Sequence, residues 1–137
     1  NLVLDITESA LMLNPTAAVE QLKKLRDRAI RISIDDFGTG YSSLSYLHRL
    51  PLDALKIDKS FVQAIQAETA DNRLIPLILN IAKTMEISVT AEGIETPEQA
   101  RHLSQLNCLL GQGYWFARPM PAPGIEEFLS VNLQLKR

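Results

Sequence analysis

Cysteine is almost absent from this chain. The single Cys108 among 137 residues cannot form an internal disulfide, so a reducing compartment, the cytoplasm, is the expected location. No stretch approaches the ~20 consecutive apolar residues of a membrane span. Neither sign of charge dominates. Lys and Arg number 14 and Asp and Glu 16, and the formal net charge of -2 gives no basis for a nucleic-acid coat or a membrane-surface patch. A small anionic ligand held through metal ions stays compatible with that balance. The chain also lacks an internal repeat, a low-complexity linker, a signal peptide and an initiator methionine. After Asn1 it enters at once into the strand-like run Leu2 to Ile6. Domains seldom begin flush with a buried strand, so an upstream part is expected, and the exposed edge of that strand predicts poor stability in isolation.

With 46% hydrophobic and 22% charged residues, the chain has the composition of one globular domain or a piece of one. Read in order, the first strand is followed by a short apolar stretch to Leu13 and a break at Asn14-Pro15. A helix is predicted from about Thr16, with Val19, Leu22, Leu25 and Ala29 on one face. The run Arg31 to Ser43 opens as a strand with Ile32 and Ile34 and ends in Asp35 and Asp36. The turn that follows draws on Gly38, Gly40, Thr39, Ser42 and Ser43. Leu44, Leu47 and Leu50 mark a short helix stopped by Pro51. A third strand, Ala54 to Ile57, carries Lys56 inside it.

Beyond Asp58 a short helix turns Phe61, Ile65 and Val62 inward and ends in the polar run Glu68 to Arg73. An apolar helix spans Leu74 to Met85, with Pro76 in its first turn, and a fourth strand spans Ile87 to Ala91. Thr96-Pro97-Glu98-Gln99 has the form of a capping box and starts a helix to about Leu106. A fifth strand is predicted at Gly113-Tyr114-Trp115-Phe116, entered through Gly111-Gln112, and a closing helix at Gly124 to Val131. Alternating strands and helices with only Pro, Gly and Asn between them predict parallel βα units, in a barrel or a doubly wound sheet.

Asp5, Asp35 with Asp36, Lys56, Glu92 and Gln112 stand at or beside successive strand ends, each about one βα unit apart. In parallel α/β proteins these ends converge on the ligand site. Four carboxylates gathered there repel one another unless cations neutralise them, and oxygen-preferring Mg²⁺ or Mn²⁺ ions suit that task. A two-metal site of this kind fits phosphodiester hydrolysis, with Lys56 orienting the water or neutralising the phosphate. Each residue also has a plainer reading. An Asp pair after a strand ordinarily serves a turn, Glu92 or Glu95 a helix start, Lys56 an edge position, and Gln112 a loop hydrogen bond. His48 and His102 read as surface or packing residues, and Trp115 and Phe116 as core. The regular register of polar strand ends favours the functional reading over the sum of plain ones.

Five runs in order then resemble the C-terminal motifs of the EAL-domain family. They are Leu4-Asp5-Ile6-Thr7-Glu8-Ser9, Asp35-Asp36-Phe37-Gly38-Thr39-Gly40-Tyr41-Ser42-Ser43-Leu44, Leu55-Lys56-Ile57-Asp58-Lys59-Ser60-Phe61, Ala91-Glu92-Gly93-Ile94-Glu95-Thr96 and Gly111-Gln112-Gly113-Tyr114-Trp115-Phe116. The resemblance implies an α/β fold of parallel βα units forming the C-terminal part, about five strands, of a TIM-like (β/α)8 barrel. A full barrel takes about 250 residues, so residues 1–137 correspond to the C-terminal portion of a single domain. The Glu-Ala-Leu signature and the Asn ligand of the next strand lie outside the sequence.

What the resemblance implies for function is hydrolysis of cyclic-di-GMP to linear pGpG with two Mg²⁺ or Mn²⁺ ions. By the same likeness Asp5, Asp35, Asp36 and Glu92 are metal ligands, and Lys56, with Glu92, is catalytic and holds the nucleophilic water. Gln112 and Glu95 meet the substrate, and Glu8 anchors the Asp-Asp-Phe-Gly loop. A homodimer through the Asp35–Ser43 loop region, an upstream sensory or diguanylate-cyclase-like domain, and a cytoplasmic or membrane-tethered parent also follow from it, with no nucleic-acid polymer as partner.

Two positions depart from the family pattern. Asp5 replaces the usual Glu, and no Asp follows Cys108. The fragment alone is expected to be inactive. Two rivals remain: a degenerate cyclic-di-GMP receptor, favoured by Asp5, and a phosphoacceptor signalling domain, which predicts a lone Asp where Glu92 stands.

Overall fold

The structure, a computed structural model, describes residues 2–40, 44–65 and 73–134. Ser42 and Ser43 of the predicted turn, and positions 68–72 of the predicted polar run, lie outside the described residues. Five strands form one all-parallel sheet in sequence order: β1 (Val3–Thr7), β2 (Arg31–Phe37), β3 (Ala54–Ile57), β4 (Ser88–Ala91) and β5 (Leu110–Gly111). The helices are α1 (Glu8–Leu13), α2 (Pro15–Arg26), α3 (Leu44–Leu47), α4 (Lys59–Ala64), α5 (Leu74–Thr84), α6 (Pro97–Gln105) and α7 (Ala122–Gln134). Sequential neighbours in a parallel sheet require a crossover after every strand, and the helices supply it. The predicted parallel βα architecture is therefore present, and β1 and β5 are its two outer strands. No helix among the described residues is long and apolar enough to cross a membrane.

The core lies between the central strands and the helices that cover them. Ile32 and Ile34 of β2 and Leu55 and Ile57 of β3 are fully buried, packed with Phe61, Val62, Ile75 and Ile78. Burying each such aliphatic side chain contributes about 2 kcal/mol relative to leaving it in water. Among the described residues the outer strand β1 has no second neighbour, and its Val3 and Leu4 remain exposed.

Helix starts follow local hydrogen-bond chemistry. Asn14 Oδ1 accepts from the Ala17 N–H at 3.1 Å while Pro15 takes the first helical position of α2. The predicted capping box is complete at α6, with the Thr96 hydroxyl and the Gln99 side chain each serving the other's backbone.

Several boundaries differ from expectation. The short apolar stretch to Leu13, for which the sequence predicts no element, is a helix of its own, capped by Thr7. Helix α2 ends at Arg26, where the Ile30 N–H closes back on the Leu25 carbonyl; Ala29 takes a positive φ of 59° and leaves the apolar face. Leu50 is buried, but it lies beyond α3. The fifth strand is Leu110–Gly111, and residues 113–116 form a turn. Aromatic content suggested a strand there, but the Gly113 backbone lies against Ile94 so closely that a Cβ would collide with the Ile94 backbone. Trp115 and Phe116 are consequently not core: they are 47% and 49% exposed.

Candidate active site

The site forms where β1 to β5 end and their helices begin. Lys56, inside β3, extends its ammonium among three carboxylates, Asp5 of β1, Asp35 of β2 and Glu92 just past β4. Nζ lies 2.6 Å from Glu92 Oε1, 3.3 Å from Asp35 Oδ1 and 3.4 Å from Asp5 Oδ2. Gln112, just after β5, donates its Nε2 to the same Glu92 oxygen at 2.7 Å. Three strands thus reach one locus directly, and β4 and β5 join it through Glu92 and Gln112, the residues that follow them. A lysine in a short apolar strand has its explanation in these partners.

Adjacent residues in a flat strand point to opposite sides, so Asp35 and Asp36 cannot both face one site without a backbone change. The change occurs at Asp36 itself. Its φ of 54° is left-handed, and the pairing of β2 with β3 shifts between Ile34 and Phe37. The turn therefore starts ahead of the glycines that the sequence pointed to. Asp35, Asp36 and Glu92 each bring a carboxylate oxygen within 4.8 Å of the other two. Asp5 is not part of this trio and meets Lys56 instead.

These placements set the charge states. Burial pushes the Lys56 ammonium toward losing its proton, but the carboxylates of Glu92 and Asp35 outweigh it and raise its pKa overall. Lys56 is therefore a hydrogen-bond donor and not a proton acceptor. Burial raises the pKa of Asp36, and the negative charges of Asp35 and Asp58 add to the rise, against a smaller opposing pull from Lys56. That is the state of a carboxylate cluster short of positive charge. The donors are all hard oxygens, which fits one or more Mg²⁺ or Mn²⁺ ions better than softer metals.

Glu8, at the start of α1, is 1% exposed and accepts from the Gly38 N–H at 2.9 Å and the Gly40 N–H at 3.4 Å. Glu95 is exposed and lines, with Glu92 and Gln112, a cleft of about 860 Å³ that continues to Lys59, Tyr114 and Arg118. The Arg118 guanidinium lies over the Tyr114 ring, 4.5 Å from its centre. His48 is exposed and His102 half-buried on α6, and neither belongs to the carboxylate trio. Sequence reasoning did not single out Tyr114 and Arg118 as a pair, because no spacing rule links a turn residue to one four positions later. It read Gln99 as a helix cap alone.

Parallel βα units whose strand ends collect carboxylates and a lysine define a class of α/β barrel-type proteins with an acidic, cation-demanding site. The chain belongs to the EAL domain family, whose model matches residues 1–119. It is 49% identical over 128 residues to the cyclic di-GMP phosphodiesterase NbdA of Pseudomonas aeruginosa, covering 93% of this chain and 16% of that protein. Among solved structures, the PaMucR phosphodiesterase in complex with c-di-GMP is similar at a TM-score of 0.87 and 41% identity, over 90% of this chain and 50% of that one. The manganese/cy-diGMP complex of Klebsiella pneumoniae BlrP1 is similar at 0.78 and 32%, over 85% of this chain and 30% of that one. The chain thus spans about a sixth of NbdA and half of the MucR structure.

Proposed function

We propose that this chain is the C-terminal portion of an EAL domain that hydrolyses cyclic-di-GMP to linear pGpG with two Mg²⁺ or Mn²⁺ ions. The observation that carries the reading is the trio of Asp35, Asp36 and Glu92 oxygens within 4.8 Å of one another, beside the Lys56 ammonium. Asp35, Asp36, Glu92 and Asp5 hold the ions in this reading. Bound divalent ions would neutralise the carboxylates, make water more acidic and stabilise charge on the phosphate. Relatives named cyclic di-GMP phosphodiesterases, and the manganese complex of a structural neighbour, support the choice of substrate and metal.

The chain's own residues have separate tasks. Lys56, held protonated, donates a hydrogen bond that orients the attacking water toward phosphorus. The water oxygen bonds to phosphorus as the bond to the 3′-oxygen breaks; the water gives up a proton to solvent, and the departing 3′-oxygen takes one back from solvent and leaves as a hydroxyl. Glu92 fixes Lys56, and Gln112 fixes Glu92, so the donor is set before substrate arrives. Gln112 and Glu95 face the cleft and contact the dinucleotide. Glu8 holds the loop after β2, where a second copy of the domain docks over residues 35–43 in a homodimer.

The chain's small share of its relatives' length supports further domains upstream, of sensory or diguanylate-cyclase-like type, and inactivity of these residues alone. The buried free thiol of Cys108 suits a cytoplasmic enzyme, whether or not its parent is tethered to a membrane. The test is metal-dependent hydrolysis of cyclic-di-GMP by the full-length protein beside Asp35→Ala. Linear product that disappears in the variant is the expected result. A second reading, a receptor that binds without turnover, draws on Asp5, which stands outside the carboxylate trio. Metal-independent binding with no product would favour it and end the phosphodiesterase reading.

A further inference from the structure

Glu92 and Glu95 both sit on the connection between β4 and α6, and something must hold that connection against the rest of the site. The Gln99 side chain, 3% exposed, is placed to do so. Its Oε1 accepts from the Glu95 N–H at 2.8 Å and the Thr96 N–H at 3.1 Å. Those two bonds belong to the helix cap. The third does not: Nε2 donates across to the Val62 carbonyl of α4 at 3.4 Å, inside the core. Helix α4 directly follows β3, the strand that carries Lys56.

A second point of docking lies nearby. Gly93, with a φ of +67°, is packed so near α4 that a Cβ there would sit 2.5 Å from Lys59 Cβ. The Glu92 N–H in turn donates to the Ile57 carbonyl at the end of β3, at 3.1 Å. The connection is therefore seated on the β3–α4 unit, and the Gln99 side chain bonds to the backbone of both at once. A buried carboxamide with all three bonds spent between two elements does more than cap a helix.

We propose that Gln99 is a positioning residue of the acidic site: by tying the Glu92–Glu95 connection to α4, it sets where Glu92 stands relative to Lys56. This rests on the phosphodiesterase reading only for its kinetic consequence. Gln99→Glu separates the two tasks of the side chain at a pH high enough to ionise the new carboxyl, since a carboxylate still caps the helix but has no hydrogen to give the Val62 carbonyl. Thr96→Ala does the reverse, weakening the cap and leaving the tie.

The experiment compares wild type, Gln99→Glu and Thr96→Ala in the full-length protein by thermal melting, amide hydrogen exchange and steady-state hydrolysis of cyclic-di-GMP. In Gln99→Glu, the Glu92 and Ile94 amides are expected to exchange faster while the melt persists, and kcat to fall by about tenfold or more with a smaller change in KM. Thr96→Ala is expected to melt lower and keep its kcat. Should Gln99→Glu fail to fold, Gln99→Met takes its place; it loses the cap bonds as well as the tie, so only a fall in kcat beyond that of Thr96→Ala counts for the tie. Unchanged exchange at Glu92 and Ile94, or an unchanged kcat in an active protein, overturns the proposal. A wild type that hydrolyses nothing overturns the phosphodiesterase reading alone, because faster exchange in the variant still supports positioning.

Discussion

The Lys56 ammonium is nearer to Glu92 than to either aspartate it reaches, at 2.6 Å against 3.3 Å for Asp35 and 3.4 Å for Asp5. Their strands are neighbours: Lys56 pairs in register with Thr90, two residues before Glu92. The backbone register therefore brings the ion pair together before any side chain chooses a rotamer.

Lys56→Met keeps most of the stem and removes the charge and the donor. In the full-length protein, kcat for cyclic-di-GMP should fall by about 10²-fold or more, the range for loss of a preorganised donor. A variant that retained even a third of the wild-type rate would take Lys56 out of the reaction. Stability should change little where divalent cations are present, since these can neutralise Asp5, Asp35 and Glu92 in place of the half-buried ammonium.

Chelation supplies a separate check. EDTA should stop hydrolysis, and added Mn²⁺ or Mg²⁺ should restore it. Glu92→Gln keeps the shape of the trio with one charge fewer, and titration calorimetry should find Mn²⁺ bound at least about tenfold more weakly. Equal affinity would show that Glu92 is not a ligand.

Glu8 offers a stability prediction. Its buried carboxylate accepts from two glycine N–H groups of the loop after β2. Glu8→Ala leaves both donors without that acceptor and should cost about 2–3 kcal/mol by urea denaturation, the usual range for hydrogen bonds to a charged group. Glu8→Gln retains an acceptor oxygen and should cost less. The order of the two variants is the result to watch, and the reverse order would refute the account.

Cys108 should be slow to react. Burial raises the pKa of its thiol, and weaker hydrogen bonding at Ala91 and Leu110 does not bring it back. At neutral pH the thiolate is therefore scarcer than in a free cysteine, and the group is shielded as well. Labelling with a thiol reagent should be slow in the folded protein and become fast in denaturant. Rapid labelling of the folded protein near neutral pH would contradict the burial.

The strands before residue 92 were legible because β-branched pairs such as Ile32 and Ile34 sit between turn residues, and the capping box at Thr96 because its two partners are local. The regular placement of Asp5, Asp35, Lys56 and Glu92 was legible as spacing. What could not be read was conformation fixed from a distance. Nothing local announces that Asp36 adopts a left-handed backbone, a state that asparagine and aspartate tolerate better than most residues but do not require. Residues 113–116 carry three aromatic residues and read as a strand by propensity. Their turn is imposed by Ile94, nineteen positions before Gly113, whose N–H and carbonyl are bonded to Gln112 and Trp115. Tertiary hydrogen bonds there overrode a local preference.

The bulge at Asp36 lies between two residues of the hydrophobic core, Ile34 and Phe37, which resume pairing with Leu55 and Ile57 on either side. The acidic pair therefore has no hinge of its own. It cannot swing open while the sheet stays shut, so the protein should lack a temperature range in which the site has loosened and the body has not. Inactivation and unfolding should arrive together, and a substitution that softens the packing around Phe37 should lower both midpoints by the same amount.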